Sequence, residues 1–228
     1  MTPALPRRDA AIDLAIVLAT IAAAWLLSRF VLYPALSIPD YAPLVLRPIS
    51  GVIAAWIVLR WRGEGWGSLG LRRPASWPRA IAVAILLYLA MLAISQWVVP
   101  YVAAIVHPTQ RPSFLAALPG NLPMLIAWLA VSWLVGGLTE ELLFRGFLLD
   151  RVAKLFGGGA LALGIAAVAQ AILFGMLHLY AGSFAFLYAS MFAVTTAAFY
   201  IAGGRNLWSV ILVHGTWDTV AMWSVYAR

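Results

Sequence analysis

Long apolar runs constrain this chain more than any other feature of its sequence. Runs of roughly 20 mostly apolar residues recur from Ile12 to Tyr226, and a helix of about 20 such residues spans the hydrocarbon core of a bilayer. The chain is 64% hydrophobic and only 10% charged, whereas a soluble domain has roughly 25% charged residues. The sequence therefore predicts an all-α, polytopic transmembrane helical bundle. It argues against a β-barrel, whose strands alternate apolar and polar residues.

We predict about seven membrane helices in one integral-membrane domain over residues 1–228, plus a short amphipathic helix at the membrane surface. The predicted crossings are approximately residues 12–31, 44–59, 80–99, 122–146, 160–179, 183–202 and 207–226. The amphipathic helix is predicted over residues 147–156, where Asp150, Arg151 and Lys154 interrupt an apolar pattern, and Gly157 to Gly159 end it.

The net charge of +7 comes from basic groups that lie between the apolar runs. Basic loops alternate along the chain with poorly charged ones, which places Arg7 and Arg8, residues 60–79, Arg151 with Lys154, and Arg205 on one side of the predicted bundle. The positive-inside rule then favours a cytoplasmic amino terminus, and Arg29 and Arg47 in the first outer loop are the exception. Anionic lipid headgroups, and not nucleic acid, are the expected partners of this charge. The compact chain suggests the inner (plasma) membrane of a bacterium. Cysteine is absent, which excludes disulfides, thiolate metal sites and a cysteine nucleophile.

Two adjacent carboxylates and an arginine interrupt the fourth apolar run, at Glu140, Glu141 and Arg145. An ionised group at the centre of a membrane helix costs at least ~2.5–3.5 kcal/mol, so such residues usually face a partner or a cavity. On a helix, Glu141 and Arg145 are four residues apart and can pair on one face. Glu140 then points ~100° away and is available for another role.

Later runs carry His178, His214 and Asp218, and the last two share a helix face because they are four residues apart. If these groups converge with Glu140, four uses are open. They can bind a divalent metal, activate water as general bases, relay protons, or tie helices together through buried hydrogen bonds. Spacing alone does not decide among them.

The same residues resemble a known family. The motifs are Glu-Glu-x-x-x-Arg from Glu140, Phe-x-x-x-His ending at His178, and His-x-x-x-Asp from His214. In this order they resemble the CAAX-processing and bacteriocin-processing (CPBP) intramembrane proteases, which are related to the type II CAAX prenyl endopeptidases. The resemblance covers residues 122–228, and the segment from Trp66 to Arg72 is similar to a loop that recurs in the family.

The resemblance implies a role for each matching residue. Glu140 and His178 would activate the attacking water, and His214 with residue 218 would stabilise the oxyanion. Glu141 and Arg145 would order the site or hold the end of the substrate. Residue 218 is Asp, where prenyl endopeptidases carry Asn, so it must be protonated, orient His214 or ligate a metal.

That departure leaves a metalloprotease open. Its divalent metal, zinc for instance, would be held by Glu140, His178, His214 and Asp218.

We therefore predict a hydrolase, an intramembrane endopeptidase that cuts near the carboxyl terminus of a membrane-tethered or prenylated, CAAX-type peptide. Its polar chamber would open toward the cytoplasm and laterally to lipid. For Glu140 to meet His178, residues 160–164 should form an interfacial lead-in to the fifth crossing, or the fourth helix must extend beyond its predicted end. We expect the lead-in. A proton-coupled transporter and a non-catalytic bacteriocin-immunity or scaffold protein remain as alternatives.

Overall fold

The computed structural model describes residues 5–36, 42–108 and 115–228, and within these ranges the chain is helical with no strand. The helices are α1 (Arg7–Leu27), α2 (Ala42–Trp61), α3 (Trp77–Trp97), α4 (Val99–Val106), α5 (Leu122–Leu155), α6 (Gly159–Met176), α7 (Ser183–Ala202) and α8 (Leu207–Tyr226). A π-helical turn, Ser28–Leu32, and the segment Tyr33–Leu36 extend α1. The predicted all-α bundle is confirmed.

Six helices within the described ranges are long and apolar enough to cross a membrane: α1, α2, α3, α5, α6 and α7. The seventh predicted crossing corresponds to α8, which has 20 residues but carries His214 and Asp218. The chain is an integral membrane protein. The connection between the third and fourth predicted crossings, Pro100 to Asn121, was predicted as a loop, but its first residues belong to the short helix α4. Residues 109–114 of this connection lie outside the described residues.

Helix α5 runs without interruption over 34 residues, well beyond the about 20 residues that a helix needs to cross the hydrocarbon core. The segment 147–156, predicted as an amphipathic continuation of the fourth crossing at the membrane surface, forms the last part of α5 and is largely buried. The backbone is π-helical over Ser132–Glu140 and Leu142–Leu148. π-Helical turns are rare in proteins, and those that occur are often at functional sites.

Because α5 is longer than predicted, Glu140 can lie near the end of α6. The two helices run antiparallel from a tight turn at residues 156–158. The rings of Phe144 and Phe174 pack with centroids 4.9 Å apart, and Glu140, which precedes Phe144 on the same helix, lines the same cavity as Phe174 and His178. Residues 160–164 are regular helix. The expected interfacial lead-in is wrong, and the longer fourth helix is the correct alternative.

A buried ion-pair cluster joins the basic loops at one end of the bundle. Arg151 lies 2.9 Å from Asp13, which also pairs with Arg62 at 2.9 Å, and Asp150 pairs with Arg205 at 2.9 Å. The contacts join the start of α1, the end of α2, the end of α5 and the α7–α8 turn. The prediction that these basic groups share one side is confirmed. Asp13 is fully buried within this cluster.

The packing of α6 on α7 depends on Gly175. A Cβ at this position would lie 2.6 Å from the carbonyl oxygen of Phe186 and would overlap the hydroxyl of Ser190. We expect Gly175→Ala to lower the free energy of unfolding by about 1–3 kcal/mol, because overpacking forces backbone shifts. Unfolding in mixed micelles of increasing SDS content measures this change.

The matched control for this prediction is Gly164→Ala, on the same helix, where an added Cβ meets nothing within 4 Å. Alanine is the better helix former by up to about 1 kcal/mol, so this variant should be neutral or slightly stabilised. Equal effects of the two substitutions would show that close α6–α7 contact at Gly175 does not matter.

Candidate active site

A cavity of about 310 Å³ lies between α5, α6, α7 and α8. The four residues predicted to be catalytic all line it: Glu140, His178, His214 and Asp218. Its other walls are mostly apolar or aromatic, and include Phe174, Tyr180, Tyr188, Phe192 and Trp217. The structure thus brings together carboxylates and imidazoles from distant parts of the chain in one chamber.

The imidazole of His214 is the centre of the polar contacts. Its Nδ1–H donates to Oε1 of Glu141 over 2.6 Å. Its Nε2 faces the cavity, 3.8 Å from Oε2 of Glu140 and 3.7 Å from Oδ2 of Asp218. The Glu141 carboxylate therefore orients the ring through Nδ1, and Nε2 faces the carboxylates of Glu140 and Asp218.

Glu141 and Arg145 form the buried support of that ring. Both side chains are fully buried, and Nη1 of Arg145 lies 3.0 Å from Oε1 of Glu141, so the pairing predicted from their four-residue spacing is present. Nη2 of Arg145 donates to the hydroxyl of Thr196. The guanidinium also lies 5.0 Å from the ring centroid of Phe174 and 5.6 Å from that of Phe192, where cation–π attraction stabilises it.

His178 follows the end of α6, and a hydrogen bond fixes its tautomer. Nδ1 lies 2.8 Å from the carbonyl oxygen of Phe174. A carbonyl only accepts, so Nδ1 carries the proton and Nε2 of the neutral ring has a free lone pair. Burial away from water lowers the pKa of His178 to about 4. His178 is therefore a neutral base near pH 7.

Glycines let α5 and α8 approach closely enough for these contacts. A Cβ on Gly137 would lie 3.3 Å from the backbone of Gly215 and Ile211, so the two helices pack backbone to backbone. A Cβ on Gly136 would lie 2.7 Å from Oδ2 of Asp218. The glycine pair that precedes the acidic motif therefore brings Glu140 and Glu141 within reach of His214.

Asp218 does not hydrogen-bond to His214 in this arrangement, because 3.7 Å exceeds hydrogen-bonding distance. Orientation of the ring is carried by Glu141 instead. Among the described residues, no group of three or more His, Cys, Asp or Glu side chains is arranged to hold a metal ion. Metal dependence stays a prediction that a chelator tests.

Two polar contacts at the site were not anticipated from the sequence. Thr196 accepts a hydrogen bond from Arg145, and Tyr188 accepts one from the indole of Trp217 over 3.0 Å. Thr196 lies in an apolar run, and its polar side chain is the one sequence feature that could have indicated a buried hydrogen bond there. Nothing in the spacing connects Tyr188 to the motifs.

The cavity is also lined by residues outside the three motifs: Leu44 at the start of the second span, Leu115 before α5, Tyr180 after α6 and Met222 near the end of α8. Beyond Glu140, every residue of α5 from 141 to 153 is buried. An opening toward the cytoplasm and laterally to lipid stays a prediction.

Comparison with known families gives one match that spans the whole site. Residues 122–220 match the family described as type II CAAX prenyl endopeptidase Rce1-like. Every side chain described above as lining the cavity, apart from those at Leu44, Leu115 and Met222, falls within this stretch. Comparisons with curated proteins and with solved structures returned no match.

Proposed function

We propose that this chain, whose residues 122–220 match the type II CAAX prenyl endopeptidase Rce1-like family, is an intramembrane endopeptidase that hydrolyses a peptide bond near the carboxyl terminus of a membrane-tethered or lipidated substrate. The observation that carries the proposal is the shared cavity. Glu140, His178 and His214 come from three different helices or their ends and face one chamber. Buried ionisable groups of this kind in a membrane bundle mark function by default.

The first chemical step is attack of water on the scissile carbonyl carbon. Glu140 is the general base that removes the water proton, and the Nε2 lone pair of His178 helps to position that water. A positioned base contributes about 10²–10⁴ to the rate. Both residues line the same cavity as His214, which supports this division of roles.

The negative charge that develops on the carbonyl oxygen needs donors already in place. His214, doubly protonated, donates from Nε2 while Glu141 accepts from Nδ1. Protonated Asp218 is the second donor, since an ionised carboxylate would repel the oxyanion. The intermediate then collapses: the C–N bond breaks, the proton held by Glu140 moves to the leaving amine, and no acyl-enzyme forms.

Asp218→Asn tests the protonation of Asp218. If Asp218 acts as a neutral donor, the amide replaces it, and we expect kcat to stay within about tenfold of the parent value. Asp218→Ala should cost on the order of 10²–10³, because one oxyanion donor is lost. Steady-state kinetics of the two variants on one substrate measure the difference. Equal losses in both would contradict the donor role and favour an ionised Asp218.

The experiment that tests the proposed function uses the purified protein in liposomes with membrane-tethered, lipidated peptides, and mass spectrometry of the products. We expect cleavage at one bond near the carboxyl terminus, unchanged by EDTA. Cleavage abolished by EDTA and restored by zinc would replace this mechanism with a metal-dependent one. Intact peptide under all conditions would contradict the protease.

Two alternative functions remain, and each predicts a different experimental result. A proton-coupled transporter would acidify liposomes when a substrate gradient is applied, without cutting any peptide. An immunity or scaffold protein would keep its biological activity after Glu140→Gln.

Location in a bacterial plasma membrane with a cytoplasmic amino terminus is part of our proposal and is supported by the basic loops gathered at one end.

A further inference from the structure

A second cavity, of about 240 Å³, lies at the basic end of the bundle, beside the turn whose Arg205 belongs to the ion-pair cluster. We call it the loop pocket. The α2–α3 loop, the start of α3, the α7–α8 turn and the start of α8 form its walls. The described residues that line it include none of those that line the catalytic cavity. The loop pocket is therefore a separate feature of the fold.

Hydrogen bonds between distant parts of the chain fix the walls of the loop pocket. Nδ2 of Asn206 donates to the carbonyl oxygen of Arg72 over 2.9 Å, and the hydroxyl of Ser209 donates to that of Ala80 over 2.8 Å. The backbone N–H of Leu207 donates to the carbonyl oxygen of Gly70 over 3.0 Å. These bonds tie the α2–α3 loop and the start of α3 to α8. A ligand would find the walls already ordered, which lowers the cost of binding it.

The charge of the loop pocket is positive and is not balanced by carboxylates. Arg72 and Arg79 line it, and no aspartate or glutamate among the described residues does. The ion pairs of the basic end use other cations: Arg62, Arg151, Lys154 and Arg205. Within the described ranges, neither Arg72 nor Arg79 forms an ion pair; Nη1 of Arg72 reaches only the carbonyl oxygen of Gly67, at 3.5 Å. An anion in the pocket would therefore meet two guanidinium groups.

The position of the loop pocket matches the depth of lipid headgroups. Ser76, which lines it, directly precedes the membrane span that begins at Trp77. The rings of Trp77 and Trp208 pack beside it with centroids 5.9 Å apart, and tryptophan is enriched where the membrane meets water. The volume is below the roughly 300–1,000 Å³ of pockets that enclose a whole small-molecule ligand. A headgroup fits this space, whereas the acyl chains would stay in the bilayer.

We propose that the loop pocket binds the phosphate of an anionic phospholipid headgroup through Arg72 and Arg79. The planar fork of an arginine matches the geometry of phosphate oxygens, and basic pockets between membrane helices bind anionic headgroups. The hydroxyl of Ser76, whose oxygen accepts the backbone N–H of Arg79 over 3.4 Å, has its own proton to donate. A zwitterionic headgroup fits less well, because its ammonium would face the same two arginines.

A bound headgroup would stabilise the fold, because it binds the folded state and joins the α2–α3 loop to the start of α8. The proposed site also differs from the general attraction of basic loops to anionic lipid, since it is saturable and depends on two particular arginines. It does not rest on the proposed protease function.

Thermal unfolding of the purified full chain in dodecyl maltoside micelles tests the site. The probes are dioleoyl phosphatidylglycerol and, for comparison, dioleoyl phosphatidylethanolamine. We expect the unfolding temperature to rise in a saturable way with phosphatidylglycerol and to change little with phosphatidylethanolamine. The double variant Arg72→Gln with Arg79→Gln should need on the order of tenfold more phosphatidylglycerol, because each arginine contributes to binding an anionic lipid.

The matched control is Arg60→Gln with Arg73→Gln, which removes the same charge from exposed positions of the same end that do not line the loop pocket. This variant should bind phosphatidylglycerol nearly as tightly as the parent. Equal weakening in the two double variants, or an equal response to the two lipids, would show general charge attraction only and would overturn the site.

A second pair of variants keeps both arginines of the loop pocket. Ala75→Glu places a carboxylate on its wall and should abolish the saturable rise, whereas Arg73→Gln lowers the net charge equally and should retain it. Retention in both would overturn the proposal. Soluble glycerol 3-phosphate is the last probe: if it saturates the site at the same concentrations as the lipid, the ligand is a soluble phosphate ester and the assignment to a lipid is overturned. None of these measurements uses peptide cleavage, so their failure leaves the protease proposal standing.

Discussion

Glu140→Gln is expected to reduce kcat by about 10²–10⁴, the usual contribution of a general base, and to leave the fold intact. Glutamine has the same shape but cannot take the proton of the attacking water. The Glu140 carboxylate lies 3.8 Å from Nε2 of His214. Because this distance is too long for a hydrogen bond, the substitution breaks none there. Single-turnover cleavage in liposomes, with thermal unfolding measured on the same preparation, separates chemistry from stability.

Glu64→Gln is the matched control, since it removes the same charge at the basic end, where Glu64 lies 3.1 Å from Arg151. That variant should keep kcat close to the parent value. If Glu140→Gln retained more than about a tenth of the parent kcat, Glu140 would not be the general base.

Arg145→Met is expected to destabilise the protein by about 3–5 kcal/mol, which is the usual cost of removing one partner of a buried ion pair. Glu141 is fully buried and would lose the cation 3.0 Å from its carboxylate. The hydroxyl of Thr196 would also lose its donor. Unfolding in mixed micelles measures the change in free energy. We also expect activity to fall, because Glu141 orients His214.

Two further variants make this prediction specific. Arg205→Met removes a cation that is 37% exposed and pairs with Asp150, so it should cost no more than about 1 kcal/mol. The double variant Glu141→Gln with Arg145→Met removes both buried charges and should recover much of the lost stability without recovering kcat. A double variant as unstable as Arg145→Met alone would show that charge pairing is not the cause.

The helical architecture could be predicted from sequence because bilayer thickness sets the length of an apolar run. The pairing of Glu141 with Arg145 could also be predicted, because four residues is one turn of helix. The convergence of Glu140, His178 and His214 was expected only through the resemblance to the protease family. Their roles in catalysis stay predictions.

Three features could not be read from the sequence because they depend on contacts between distant elements. The hydrogen bond from His214 to Glu141 joins α8 to α5, and the pairing of Asp13 with Arg151 joins α1 to α5. The end of α5 looked like an interfacial helix because Asp150 and Lys154 interrupt its apolar pattern. In the structure, Asp150 pairs with Lys154 and Arg205, and α5 continues through this segment.

The central claim is that three separate pieces of chain act as one catalytic unit. The most direct measurement compares kcat of Glu140→Gln, His178→Gln and His214→Gln with kcat of the variant that combines all three. Residues that act together are strongly non-additive, so the triple variant should lose no more activity than the most damaged single variant. Losses that multiply across the three positions would mean that the residues act independently, and would contradict a single site.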